Sequence, residues 1–309
     1  MNAYYSLKQM KKFKLPVVVL GTFDGVHIGH RELIRTAVKR AAQLSGSCLV
    51  LTFDHIPREI LKKNVYDVLL TSLAEKVRLI GALGVDAILV MKFNRQLARQ
   101  APGDFVRNVL VKGLGVKLLV VGENYRFGAG QAGGVEQLKA LGRKFGFQVL
   151  IVPNRQVRGR KVSSTWIREL LQQGQIAAAN KLLGRRFSVA GTVSKGRHFG
   201  TSIGFPTANL RLDRRMLLPS GVFAAMVTVA GRRYRAVVNI GLRPSIRETR
   251  KERLVEAFIF GFHKMIYKQA LVIEMVRRIR AERFFADKKQ LAAQIARDAD
   301  RARQILRRA

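Results

Sequence analysis

Gly21-Thr22-Phe23-Asp24-Gly25-Val26-His27-Ile28-Gly29-His30 is the stretch from which the architecture of this chain can be read. An apolar run, Val17-Val18-Val19-Leu20, leads into it. After it, Leu33, Ile34, Ala37, Val38 and Ala41 recur at helical spacing through residues 31–42. The order is therefore a buried strand, a glycine-bearing turn and a helix start. Such a turn exposes helix N-terminal amides, which favour negative charge, and its glycines let the backbone come close to a phosphate. His27 and His30 are three apart and share one face of the first helical turn. Two imidazoles beside free amides suit a polyphosphate. Taken alone, the same pair also reads as an ordinary surface or core pair. Zinc is a poor alternative, because a catalytic zinc takes three protein ligands and no third is evident nearby. The glycine spacing is not the dinucleotide fingerprint either. Position favours the anion site, since an open α/β sheet binds its ligand at the carboxyl ends of its strands.

Working outward, apolar runs at 49–53, 87–90, 118–121 and 147–152 alternate with helical spacing at 73–83, 104–110 and 135–145. That alternation predicts a parallel sheet with helices on both faces, a Rossmann-like layout. A further helix follows residue 164 and a short one spans 176–183. Beyond Gly184-Arg185-Arg186 the pattern changes to short strands at 187–193, 222–229, 234–240, 254–262 and 270–276, closed by a helix at 288–306. These predict a small antiparallel β-barrel with a terminal helix. The expected domains are 1–184 and 185–309.

Composition narrows the function classes. With 309 residues, 48% of them hydrophobic, the chain can bury two cores. A single cysteine, Cys48, excludes an internal disulfide framework and is compatible with a reducing cytoplasm, the expected location. Lysines at 8, 11, 12 and 14 precede an apolar run of only about five residues, too short for a signal-peptide core, and nothing approaches the roughly 20 apolar residues of a membrane span. The balance of 57 Lys+Arg against 20 Asp+Glu, a net +37, raises the encounter rate with any polyanion. Nucleic acid is a possible partner on that ground but is not favoured. The charge is spread over both halves, aromatic content is 8%, and no nucleic-acid-binding motif accompanies it.

Further candidates lie in loops. Gly122-Glu123-Asn124-Tyr125-Arg126-Phe127-Gly128 follows the fourth strand, as a ligand loop or a plain βα turn. Val162-Ser163-Ser164-Thr165-Trp166-Ile167-Arg168 opens a helix, where Ser164 reads equally as an N-cap. Arg168 offers planar charge-assisted donors for phosphate oxygens. Gly191-Thr192-Val193-Ser194-Lys195-Gly196 is not a Walker A loop and reads by itself as a glycine-rich hairpin. Glu256 is a candidate base or a salt-bridge partner on a strand.

The decamer resembles the HxGH nucleotidyltransferase signature in the form carried by bacterial bifunctional riboflavin kinase/FAD synthetases, and later segments match that family in order along nearly the whole chain. The resemblance implies phosphorylation of riboflavin to FMN by ATP and adenylylation of FMN to FAD with release of pyrophosphate. It implies that His27, His30 and Arg168 hold the triphosphate, with Gly21, Phe23, Asp24, Gly29, Asn124, Arg126, Ser164 and Thr165 lining the same pocket. Gly204-Phe205-Pro206-Thr207-Ala208-Asn209 is similar to the riboflavin kinase GxPTAN element, which implies that Thr207 and Asn209 help hold Mg²⁺ and the ATP phosphates. Asn239-Ile240-Gly241 with Arg243-Pro244 matches NIGxRP, and Arg280-Ala281-Glu282-Arg283-Phe284 resembles a segment bordering the flavin. Gly191, Lys195, Gly196, Asn239 and Arg280 are carried over as ATP or flavin contacts, and Glu256 as the base.

The sequence departs from the family at four places. Phe258 stands where the family usually has histidine, Gly261 where it often has an acid, His55-Ile56-Pro57 where it has PHP, and Ser245 where it has threonine. The alternatives are an FAD synthetase whose barrel only binds flavin, or a basic nucleic-acid-binding protein on this scaffold.

Overall fold

The computed structural model describes residues 1–56, 69–195, 204–242, 253–285 and 287–307. Pro57, Gly196 and Arg243-Pro244-Ser245, all named above, lie outside them. By packing, the described residues before Thr165, apart from Leu69 and Leu70, form one compact unit; Leu69, Leu70 and the chain from Thr165 onward form the other.

In the first unit, β1 (Asn2–Tyr4), β2 (Val17–Leu20), β3 (Cys48–Phe53), β4 (Ala87–Met91), β5 (Leu118–Gly122) and β6 (Gln148–Val152) form one sheet in the order β1-β4-β3-β2-β5-β6. Every pairing in it is parallel. Strands β2 and β3 are buried along their whole length, as expected where helices cover both faces. Side chains alternate across the strand. Val17 and Val19 pack against α1 (Ile28–Gln43) and α2 (Leu73–Gly81), whereas Val18 and Leu20 pack against the 102–113 segment and α3 (Val135–Phe145). The chain places β3 on one side of β2 and β5 on the other. The carboxyl end of β2 is thus a topological switch point, where open α/β sheets collect ligands.

The expected helix at 104–110 is longer and less regular. Pro102–Phe105 is α-helical and continues into a π-helical stretch, Val106–Gly113, that ends with the Leu114 N–H on the Val109 carbonyl at 3.0 Å. Hydrophobic spacing cannot separate an i→i+5 ladder over two turns from an α-helix. Two further features carried no periodic signal: the three-residue edge strand β1, and a hairpin of β7 (Gln156–Val157) and β8 (Arg160–Lys161).

The second unit opens with α4 (Ser164–Gln172), which begins one residue before the packing boundary, and α5 (Ile176–Leu183). The expected division after Gly184 follows the motifs, but α5 packs on the barrel. The Asn180 side-chain amide donates to the Met275 carbonyl at 2.9 Å and its oxygen accepts from the Phe187 N–H at 2.7 Å. The barrel itself is closed and antiparallel, built of β9 (Phe187–Ser194), β10 (Ala208–Arg211), β11 (Gly221–Val229), β12 (Arg232–Leu242), β13 (Arg253–Ile259) and β14 (Ala270–Arg280) in the order β10-β13-β12-β11-β14-β9. Phe223, Val238 and Ala257 are in register and point inward; Ala224, Val237 and Phe258, one step along, point outward. On that outer face α6 (Lys288–Arg307) covers Val222, Ala224 and Val237 with Ala299, Ala302 and Leu306. Among the described residues no helix is long and apolar enough to cross a membrane.

Cys48, the only cysteine, is 1% exposed within β3. Burial, and next the Asp86 carboxylate, push its thiol up to about 12. Thiolate is scarce at neutral pH and the sulfur is covered, so Ellman's reagent should leave the native protein unmodified and react with one equivalent after unfolding. Rapid labelling of the folded protein would show that β3 is not seated as described.

Candidate active site

The turn after β2 is held by partners distant in sequence. Phe23 and Val26 adopt positive φ, 50° and 38°, which non-glycine residues rarely do, and Gly25 lies at 84°. Phe23 is 1% exposed, and its ring lies across Gly21, where a Cβ would stand 2.8 Å from the ring carbons. Glycine at 21 is therefore required by close approach. The Asp24 carboxylate, 3% exposed, accepts from the Thr71 N–H at 3.2 Å, and the Thr71 hydroxyl accepts from the Gly25 N–H at 3.1 Å. The Ser164 hydroxyl donates to the Asp24 carbonyl at 2.8 Å.

His27 is the N-cap of α1, and its Nδ1 accepts from the His30 N–H at 3.3 Å. That bond leaves the proton of neutral His27 on Nε2. The two imidazoles stack at 3.5 Å between centroids, and Phe23 and His30 form a T-shaped pair at 5.3 Å. A Cβ on Gly29 would sit 3.3 Å from the His27 ring, so glycine there leaves room for the stack. Burial first, then His27 and the Lys76 ammonium, hold His30 well below the ordinary imidazole value of 6.5. Its Nδ1 is buried without a hydrogen-bond partner among the described residues. The arrangement offers a neutral imidazole and the opening amides of a helix at the carboxyl end of the central strand, a site for an anion.

The rest of this unit's expected site lies on nearby loops. Asn124 and Arg126 are exposed after β5; Tyr125 stacks on Phe127 at 5.9 Å, and the Arg126 guanidinium lies against Gly134. Asp54, in the turn after β3, accepts from the Phe93 and His55 amides at 2.8 Å each. Burial alone would raise its carboxyl, but those bonds and His55 hold it below the usual range.

In the second unit a polar row crosses the outer face of the barrel. Reading across the register, Ser194 pairs with Asn209, Asn209 with Glu256, Glu256 with Asn239, Asn239 with Val222 and Val222 with Arg280. Residues directly opposite share a face, so Asn209, Glu256 and Asn239 lie side by side. Burial raises the Glu256 carboxyl above its ordinary value, against the lowering effect of a long 3.5 Å contact from the Asn239 amide. Thr207 immediately precedes β10, two residues before Asn209.

Among the described residues no group of three or more His, Cys, Asp or Glu could hold a metal. A hydroxyl, an amide oxygen and one carboxylate are nevertheless hard oxygen donors of the kind a partly hydrated Mg²⁺ accepts, with phosphates completing its shell. The residues present fit that ion.

Comparison with known proteins decides the family. Residues 9–166 match the FAD synthetase family model and residues 183–306 the riboflavin kinase model. The bifunctional riboflavin kinase/FMN adenylyltransferase of Buchnera aphidicola subsp. Acyrthosiphon pisum is 36% identical over 91% of this chain and 90% of its own. That of Escherichia coli K12 is 35% identical over 94% and 92%. The chain belongs to the bifunctional riboflavin kinase/FMN adenylyltransferase family. A crystal structure from Streptococcus pneumoniae that carries the name macrolide-efflux protein has the same fold, with TM-score 0.87 and 32% identity over 97% of this chain and 98% of that one.

Within the bifunctional family frame, the structure brings His27, His30, Phe23, Gly21 and Gly29 together and ties Asp24 to Ser164. Thr165 and Arg168 are grouped with the barrel unit. Gly191 has a packing reason, since a Cβ there would stand 2.6 Å from the Arg211 carbonyl of β10, and Lys195 is exposed at the end of β9. The Arg280 guanidinium is engaged by buried Asp298 of α6 at 2.8 Å. Phe258, in the place of the family's histidine, packs edge-on against Phe205 at 5.3 Å and Phe260 at 5.6 Å.

Sequence reasoning missed Lys76, which is 5% exposed and donates to the Phe53 carbonyl at 2.6 Å and the Thr22 carbonyl at 3.2 Å. The signal was available: Leu73, Lys76, Val77 and Ile80 share one helical face, and a lysine there is out of pattern.

The histidine geometry fixes a pH dependence of stability. The unfolded chain protonates His30 near pH 6.5 while the native state resists it, so below that pH the unfolded state binds more protons. Stability therefore falls as the pH drops below about 6.5, and this group contributes no slope above it. His30→Asn should flatten the fall in urea midpoint between about pH 7 and about pH 5. An unchanged slope would place the His30 imidazole in solvent.

Proposed function

We propose that the chain carries out both family reactions: riboflavin plus ATP gives FMN and ADP in residues 185–309, and FMN plus ATP gives FAD and pyrophosphate in residues 1–184. The observation that carries the reading is the stacked His27–His30 pair at the start of α1, beyond the central strand. Family membership supplies ATP dependence, and a cytoplasmic location is part of the same proposal.

In the adenylylation, an FMN phosphate oxygen attacks the α-phosphorus of ATP and the bond to the pyrophosphate oxygen breaks. The nucleophile is already anionic, so the residues have to align and stabilise charge, not remove a proton. His30 and His27 donate N–H groups to the triphosphate, and the opening amides of α1 add their dipole. The family resemblance assigns Thr165 and Arg168 to the phosphates as well, and Asn124 and Arg126 to the adenylylation pocket.

In the phosphorylation, the ribityl 5′ hydroxyl attacks the γ-phosphorus and ADP leaves. A hydroxyl must lose its proton, and Glu256 accepts it. A carboxylate raised by burial is a better base than an ordinary one, and Asn239 orients it. Thr207 and Asn209 would hold Mg²⁺, which when bound neutralises the developing phosphate charge. Lys195 contributes positive charge at the strand end.

Feeding riboflavin or FMN with Mg-ATP and separating the products by chromatography tests both halves. His30→Ala should lower FAD formation by roughly 10²-fold or more while FMN formation from riboflavin continues. Glu256→Gln should lower riboflavin phosphorylation by about 10²- to 10⁴-fold and leave adenylylation of supplied FMN intact. Wild-type protein that turns over neither substrate would refute the proposal, as would variants that fail to separate the two activities.

A further inference from the structure

We propose that Lys76 is the positioning residue of the adenylylation site: by holding the Thr22 carbonyl just beyond β2 and the Phe53 carbonyl at the end of β3, its ammonium sets the turn from which Phe23, His27 and His30 are presented. The inference rests on the adenylylation reading above and deepens it.

The geometry is specific. Thr22 lies two residues beyond the end of β2 and Phe53 ends β3; the two strands are parallel neighbours, with Val19 opposite Val50 and Leu20 opposite Leu51. Where buried parallel strands stop, the last carbonyls lose their ladder partners and must find others. Lys76 supplies one donor to both, at 3.2 Å and 2.6 Å, and the Thr52 hydroxyl adds a second to Thr22 at 3.1 Å. The Thr22 carbonyl is therefore held from two sides in the peptide unit that leads into Phe23, whose φ is +50°. A backbone in that region persists only where its surroundings over-determine it. The Phe23 and His30 rings meet in a T-shaped contact, so the position of one carbonyl is passed to the imidazole.

The charge has a second effect. His27 and Lys76 are the charged or titratable groups that act on His30, both opposing its protonation alongside burial. A neutral His30 donates to an arriving triphosphate without first having to release a competing anion. Lys76 acts through its neighbours and need not touch the nucleotide.

Lys76→Met and Lys76→Arg test the assignment in the full chain, with riboflavin phosphorylation measured in the same preparations as a control for folding. In Lys76→Met, kcat for FMN adenylylation should fall by about tenfold to a hundredfold, the scale of a misplaced reacting group. The His30 midpoint, followed by NMR of histidine-labelled protein and assigned by comparison with His30→Asn, should move up. Lys76→Arg should keep the low midpoint and at least about a tenth of the wild-type rate, since it retains charge and donors. A merely structural role would not separate the charged from the neutral variant in the His30 titration. The proposal is overturned if Lys76→Met keeps both the wild-type rate and the wild-type midpoint. Should Lys76→Met fail to fold, Lys76→Arg decides: loss of both adenylylation and the low midpoint, with riboflavin phosphorylation intact, overturns it as well. Absence of FAD formation by the wild type would instead remove the reading on which it rests.

Discussion

The amino-terminal unit depends on how its central strand ends. Strand β2 is buried on both faces, so the peptides just beyond it cannot rely on water, and each polar backbone group there needs a protein partner. Those partners come from far along the chain: Thr52 and Lys76 for Thr22, Thr71 for Gly25, Ser164 for Asp24. The strained turn is thus a tertiary product. Its shape is set by the ends of β3 and the start of α2 as much as by its own glycines.

This explains what could be read from the residues alone. The apolar runs that became β2, β3, β4 and β5 are nearly continuous, as strands covered on both faces must be, and their alternation with helical spacing is enough for a parallel layout. The barrel was legible in outline, because its inward residues alternate with outward ones, but the four-residue β10 was not among the five strands read from the sequence. Less visible were features whose cause is a partner elsewhere. Strand β1 is three residues long and exists only because β4 offers an edge. The π-helical ladder at Val106–Gly113 leaves no mark on hydrophobic spacing.

The candidate sites divide along the same line. His27, His30, Gly21 and Gly29 are close in sequence, so their grouping follows from helix geometry and from the room each glycine leaves. The polar row on the barrel is different, since Ser194, Asn209, Glu256 and Asn239 come from four strands and meet only through register. Motif resemblance could name them, but adjacency required the strand order. Phe258 shows the reverse case. Read against the family pattern it is a loss of a polar group, whereas in place it holds Phe205, two residues before Thr207, by an edge-on contact. An aromatic pair of this kind contributes about 0.5–1.5 kcal/mol beyond its buried area, which favours the observed placement of Phe205 ahead of β10.

In the proposed reactions the two candidate sites face the same ligand chemistry with opposite acid–base demands, and their environments differ accordingly. Where the attacking group is a phosphate monoester, no base is needed, and the imidazole proposed as donor is one whose protonation is disfavoured by burial and by its neighbours His27 and Lys76. Where the attacking group is an alcohol, a proton must go somewhere, and a half-buried carboxylate with a raised affinity for it lies on the barrel face. Burial acts on both residues, but it depresses the base strength of histidine and increases that of glutamate. One physical effect, applied to two side-chain types, therefore produces a donor in one unit and an acceptor in the other. Exchanging the residue types between the sites would leave a weakened base where a proton has to be taken up and an anion where a triphosphate has to bind.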